Sequence, residues 1–339
     1  MTSFAAHLDT KIGSDNLIYC STIQLAWNEL SKTLKGQISL VPDSPLVPGL
    51  NKMDFTREHL SERYFIALAD FVSSGIVNKI KKELKEKFND TSKIDFDQLQ
   101  PSDILAYAYL LKILKFSVPF DKIKNGLSFG SPAQISGNMG QMQIRGTIDA
   151  PRVQAFGIDK VRRDTEKKQR NQVRVLRYVN REDFILSFRM EEGDYMMLAR
   201  TAPKDTLQET ISGLQIEAPQ YLDDGDVLKI PKISFDLEHH FKELTSRSVL
   251  VNGSDTGYFI MEAVQLIKFD LDEVGARLRS EAAIKHIFSS AFVEKQPRQL
   301  VADGPFLLTL TESLDKSPYF AAWFNNSELF KNEESLKNG

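Results

Sequence analysis

The stretch YFIMEAVQLIKFDLDEVGARLRSEAAIKHIFSSAFVEKQPRQLVADGPFLLTL, residues 258–310, has three parts. Residues 260–271 hold branched and aromatic side chains with few breakers, which predicts a long buried strand. Residues 300–310 predict a second strand, interrupted by a turn at Asp303-Gly304-Pro305. Between them, residues 272–299 carry charge, small residues and isolated apolar residues without a steady period. A structureless connection of more than about twenty residues is unusual in a compact domain, and such loops are generally functional or disordered. Spacing alone leaves three readings open: a functional exposed loop, a tolerated surface loop, or a helical hairpin that includes residues 276–288.

Composition narrows the classes. The 339 residues suffice for one large domain or two modest ones, with 42% hydrophobic and 26% charged residues. A net charge of -3 argues against broad nucleic-acid binding, which needs a basic face. The single cysteine, Cys20, excludes an internal disulfide and lies in the apolar run LIYCSTIQLAW, where a buried inert thiol is expected. No apolar run approaches the ~18 residues of a membrane span, and MTSFAAHLDTKIG lacks the features of a secretory signal. The chain as given therefore reads as a cytoplasmic protein with no membrane contact; extracellular residence would require a signal removed from it. No metal site, cofactor or catalytic constellation stands out. His239 and His240 are adjacent, a poor arrangement for one metal on a helix.

In chain order, residues 16–34 predict a strand running into a helix, with Ser21 at the N-cap and Ile23, Ala26, Trp27 and Leu30 at helical spacing. Residues 41–50, with three prolines, predict a loop, and residues 55–88 predict a helix in two pieces. Residues 104–120 are a long apolar run, strand or buried helix, ending in Pro119-Phe120. The glycines of 127–141 lack the Lys-Ser/Thr of a phosphate loop. Residues 141–148 and 153–158 read as strands. Residues 161–177 are the most basic stretch, with Arg162, Arg163, Lys167, Lys168, Arg170, Arg174 and Arg177, either a polyanion or acidic-partner site or a charged hairpin tip. Residues 181–214 read strand, turn, strand, helix. Residues 228–237 read as a strand, then DLEHHFKEL as a helix start. FAAWFNN, 320–326, closes the chain as a strand before a polar tail over 331–339.

FDLDEVG (269–275), SEAAI (280–284) and VADGPFLLTL (301–310) give an acidic strand end and Gly, an Ala-bearing loop, and an aliphatic strand into Asp-x-Pro-Phe-Leu. That order is similar to the serpin pattern. Asn16-led LIYC before Ser21, the Pro119-Phe120 strand end, Ile230-Pro231-Lys232 and FAAWF resemble further serpin segments in the same order, although Thr22 stands where the family has Pro. The resemblance implies a serpin-like mixed α/β fold: a large, mainly antiparallel central sheet, smaller sheets, covering helices and an exposed reactive-centre-like loop over 272–299. It implies one domain over 1–339, a monomer and no enzyme. In that family the loop is bait for a protease and, once cut, inserts into the main sheet.

Two registers fit. If Gly275 is the hinge glycine, then Ala276, Arg277, Leu278 and Arg279 follow, and the bait bond lies near Ser289-Ser290. If SEAAI is the family's small-residue run, Arg279 takes the glycine's place and the bond lies near Val293-Glu294. The hinge set is thus Glu273, Gly275, Ala276, Arg277, Arg279, Ser280, Ala282 and Ala283. The bait region is Lys285, Phe288, Ser289, Ser290, Val293 and Glu294. Insertion buries alternate hinge residues, and a buried unpaired charge costs several kcal/mol. The expectation is a non-inhibitory protein that binds a partner or ligand. The alternative is a suicide-substrate inhibitor of a serine or cysteine protease.

Overall fold

The computed structural model describes residues 1–130, 133–139, 142–148, 150–159, 164–275 and 297–333. The first third holds β1 (Thr2–Ala5), β2 (Asn16–Cys20), α1 (Thr22–Leu34), β3 (Ile38–Val41), α2 (Val47–Leu50), β4 (Phe65–Phe71), α3 (Ile76–Glu83) and β5 (Ile104–Leu110). Then come β6 (Asp121–Ser128), β7 (Ala133–Met139), β8 (Met142–Ile148), β9 (Arg152–Ile158), α4 (Asp164–Asn171), β10 (Val173–Asn180), β11 (Asp183–Arg189), β12 (Tyr195–Arg200) and α5 (Leu207–Ser212). The rest comprises β13 (Gln220–Tyr221), β14 (Val227–Pro231), β15 (Ile233–His240), β16 (Arg247–Val251), β17 (Ser254–Ile260), β18 (Val264–Leu271), β19 (Gln299–Val301), β20 (Phe306–Thr311) and β21 (Phe320–Phe324).

An eight-stranded sheet, β1-β2-β21-β20-β12-β11-β10-β13, forms the floor, antiparallel except for the β1–β2 pair. Its central strands are apolar on both faces, and β20 and β21 are buried at every residue. One face meets the main core, where Phe184, Phe188, Phe306 and Phe324 lie. The other meets Leu207, Trp323 and Tyr19. A four-stranded sheet, β19-β14-β9-β6, adjoins it. Above the main core lie two antiparallel pairs, β4–β5 and β15–β18, which share no ladder with each other among the described residues.

Those two pairs position the site, and pleat alternation assigns their faces. On β4 and β5, Phe65, Ala67, Ala108 and Leu110 turn to the main core. Ile66, Leu68, Tyr107 and Tyr109 turn the other way, to a second cluster with Ile76, Ile80 and Leu84 of α3 and the π-helical turn that prolongs it. The long strand expected over 260–271 begins at Val264 and is buried on one face only: Ile267 and Leu271 meet the core, while Lys268 and Asp270 are exposed.

Several expectations are corrected. The first half of 55–88 is strand β4, not helix, because β4 is apolar on both faces and an unbroken apolar run carries no period. DLEHHFKEL is no helix: β15 runs to His240, paired along its whole length with β18. His239 and His240 therefore turn to opposite faces, His239 stacking on Phe4 at 4.6 Å and His240 facing Glu238 at 2.8 Å. Residues 300–310 are not one interrupted strand, since β19 and β20 belong to different sheets. The basic stretch is helix α4 leading into β10 rather than a hairpin tip. Ser21 sits at the N-cap of α1, but its side chain makes no capping bond. The tail is tied down as far as Glu333, through Lys331 on Lys232 and the Arg152–Glu333 ion pair; residues 334–339 lie outside the described residues.

Candidate functional site: the two roots of the 272–299 loop

The strand before the loop and the strand after it are each fixed by a buried ion pair. At the first root, β18 ends at Leu271 and the chain turns back through Asp272–Gly275, with the Gly275 amide donating to the Asp272 carbonyl at 3.1 Å. Gly275 has φ +95°, and a Cβ there would stand 2.6 Å from the Leu114 carbonyl oxygen and 2.8 Å from the Phe116 nitrogen. Both facts require glycine. Gly275 bridges Lys115 in the antiparallel sense, the Phe116 amide donates to Val274, and the Phe120 amide donates to Glu273.

The Glu273 carboxylate meets Lys232 at 2.5 Å and Lys122 at 3.3 Å. Burial works to raise its pKa, but its bonds with Lys232, its own backbone amide and Lys122 hold it below the ordinary carboxylate value. Lys232 comes from the bend between β14 and β15, so the pair fastens the loop root to the four-stranded sheet.

At the second root, Arg298 is 11% exposed and Asp226 nearly fully buried. The Arg298 amide donates to Asp226 Oδ1 at 2.7 Å, and its Nε and Nη2 donate to Oδ2 at 2.9 and 2.7 Å. Nη2 also donates to the Tyr221 carbonyl. This charge-assisted clamp holds β19, only three residues long, parallel to the edge of β14.

Of the candidates named from sequence, Glu273 and Gly275 are brought together at the first root. Ala276, Arg277, Arg279, Ser280, Ala282, Ala283, Lys285, Phe288, Ser289, Ser290, Val293 and Glu294 lie outside the described residues, as do Arg162 and Arg163. The remaining basic residues do not form one patch. Arg170 is buried and donates to the carbonyls of Asp223 and Asp226, so it is spent inside the protein. Arg174 lies 3.7 Å over the Tyr221 ring, and Lys167 is exposed on α4. Sequence reasoning gave no role to Lys232, Asp226 or Arg298. Lys232 stood inside a quoted motif, whereas nothing local marks the other two.

Beneath the first root lies a second buried network. Lys112 Nζ meets Asp194 at 2.6 Å and Glu312 at 3.0 Å, 4.2 Å from the Tyr64 ring centroid and 4.8 Å from that of Tyr319. Tyr319 donates to Asp194 at 2.7 Å. Burial works to raise the Glu312 pKa, but the Ser61 amide and Lys112 hold it low. Among the described residues no group of three or more acidic, His or Cys side chains suits a metal ion, and no helix is long and apolar enough to cross a membrane.

No protein-family model and no curated protein sequence matches the chain. Solved structures do. The thermophilic serpin Tengpin in its native state superposes with a TM-score of 0.50 at 11% identity, over 93% of this chain and 90% of that one. The chain has the serpin fold. Human thyroxine-binding globulin complexed with its hormone is also similar, at 12% identity over 91% of each chain, with a TM-score of 0.44. So is Serpin48 of the insect Tenebrio molitor, described as highly specific, at 13% identity and a TM-score of 0.39; there the match spans 74% of this chain and 65% of that one. At 11% identity the likeness to Tengpin shows the fold alone, and a fold does not by itself choose a function.

Proposed function

We propose that this protein is a non-enzymatic serpin-fold trap whose 276–296 segment pairs as a new strand with β5, beside the β4–β5 pair, after a protease cuts it. The observation that carries the reading is the antiparallel bridge between Gly275 and Lys115. The chain has already turned back at that point, beside the segment that continues from β5, whose second edge pairs with no other strand among the described residues. Continued without a bulge, each residue onward faces one residue earlier on the β5 side. Ala276, Leu278, Ser280 and Ala282 then stand opposite Leu114, Lys112, Leu110 and Ala108. Opposed residues share a face, and Leu114, Leu110 and Ala108 belong to the main core. The core-facing set is therefore small or apolar.

Arg277 and Arg279 fall opposite Ile113 and Leu111, which are 39% and 36% exposed. Charge there stays near water, so the obstacle expected from sequence falls away in this register. With Gly275 as the hinge glycine the scissile bond is Ser289-Ser290, and the serpin resemblance supplies a serine or cysteine protease as partner, held as an acyl-enzyme when insertion distorts its site.

A second reading, a binding protein whose loop stays outside, draws on Lys285. In the same register it faces Leu105, which packs in the cluster under α3. The test is a panel of serine and cysteine proteases, scored for denaturant-resistant covalent complexes. The trap reading expects a complex with at least one protease, abolished by Leu278→Arg and retained by Arg277→Ala/Arg279→Ala. Clean cleavage across the panel with no complex favours the binding reading.

A further inference from the structure

The segment 112–116 lies between the loop root and the turn that joins β11 to β12. On the turn side, the Glu191 amide donates to the Lys115 carbonyl at 2.9 Å, and the Glu192 carboxylate accepts from the Lys115 amide at 3.1 Å. Met190 bridges Phe116, and Asp194 binds Lys112. On the loop side, the Phe116 amide donates to Val274 at 3.2 Å and Lys115 bridges Gly275. Gly275 has no slack, because even a methyl group there would strike the backbone of Leu114, Lys115 and Phe116. The segment is thus a short bar held on one side by the turn and on the other by the root.

The two sides differ in accessibility. Glu191 is exposed, and Glu192 and Gly193 are half-buried. Asp194 is buried in the network with Lys112, Tyr319 and Glu312, which seats the turn on the eight-stranded sheet.

We propose that the Glu191–Asp194 turn is a regulatory handle on the loop root. Its bonds to Lys115 keep Gly275 paired, and displacing the turn loosens the root. The assignment of 272–275 as a working hinge rests on the trap reading, but the mechanical coupling does not, and amide exchange measures the coupling directly.

The experiment is native-state hydrogen exchange on the full chain, wild type against Glu192→Ala. Removing that acceptor is expected to speed exchange at the Phe116 and Gly275 amides on the order of tenfold, the worth of one such bond. The amides of residues 306–311 should keep their protection. The reciprocal variant, Gly275→Ala, is expected to speed exchange at the Glu191 amide, since coupling acts equally in both directions. Unchanged Phe116 and Gly275 amides in Glu192→Ala would overturn the proposal, whether or not Lys115 responds. So would a rise spread evenly through residues 306–311, which marks global loosening. A silent Glu191 amide in Gly275→Ala would overturn it too. None of these readouts uses a protease, so failure here and failure of the trap reading are separable.

Discussion

Replacing Lys112 by Met removes the cation that Asp194 and Glu312 share at 2.6 and 3.0 Å, at a side chain 3% exposed. Met keeps most of the aliphatic stem, so little cavity forms and the change is chiefly electrostatic. Two carboxylates then face each other, Asp194 with only the Tyr319 hydroxyl among the described residues and Glu312 with the Ser61 amide and the half-exposed Lys316 at 3.8 Å. Breaking a buried pair by removing one partner costs ~3–5 kcal/mol, because the remaining charge is left uncompensated. Equilibrium urea unfolding at neutral pH reads the loss. The background Asp194→Asn/Glu312→Gln sharpens the test: there the ammonium is the unpaired charge, and Lys112→Met should be neutral or stabilising. An equal loss in both backgrounds would refute the electrostatic account and leave packing as the cause.

Three further outcomes are expected. Arg298→Met strands the Asp226 carboxylate and should lower stability by ~3 kcal/mol in the same unfolding assay; a loss below ~1 kcal/mol would mean that the clamp on β19 is ornamental. Glu273 and Glu312 both have folded pKa values below the ordinary glutamate value of about 4.5. Their contribution to stability is whole above that value and is lost as pH falls through the folded values, so Glu273→Gln should flatten the acid limb of a melting-temperature profile. His239, stacked on Phe4, has its pKa lowered by burial, so its contribution is complete above about pH 6.5 and declines below it; His239→Gln should remove that slope.

Much of the topology was legible. Strands β2, β11, β12, β20 and β21 and helices α1 and α5 lie where alternation, capping residues and turn signals put them, because each is a local pattern. The order of the serpin-like motifs carried the fold. Two of the failures share one cause. In β4 and in the second half of β15, tertiary pairing decides between helix and strand: the β4 run is apolar on both faces, and EHHF has helix-compatible residues that β18 nevertheless claims. The site was half legible. Glu273 and Gly275 could be named because FDLDEVG resembles the serpin strand end that leads into the hinge. Their partners Lys232 and Lys115, and the Arg298–Asp226 clamp, are separated by tens of residues in the chain, and no local spacing marks such pairs. The meaning of Arg277 and Arg279 also depended on a register that only the Gly275–Lys115 bridge supplies.

The most direct measurement is thermal unfolding of the intact chain and of the chain cut by a protease within residues 276–296, followed side by side. If the free edges of β5 and β18 take up the cut segment as a new strand, the melting temperature rises sharply on cleavage. A melting temperature that is unchanged or lower after the cut would contradict insertion and leave a serpin-shaped binding protein.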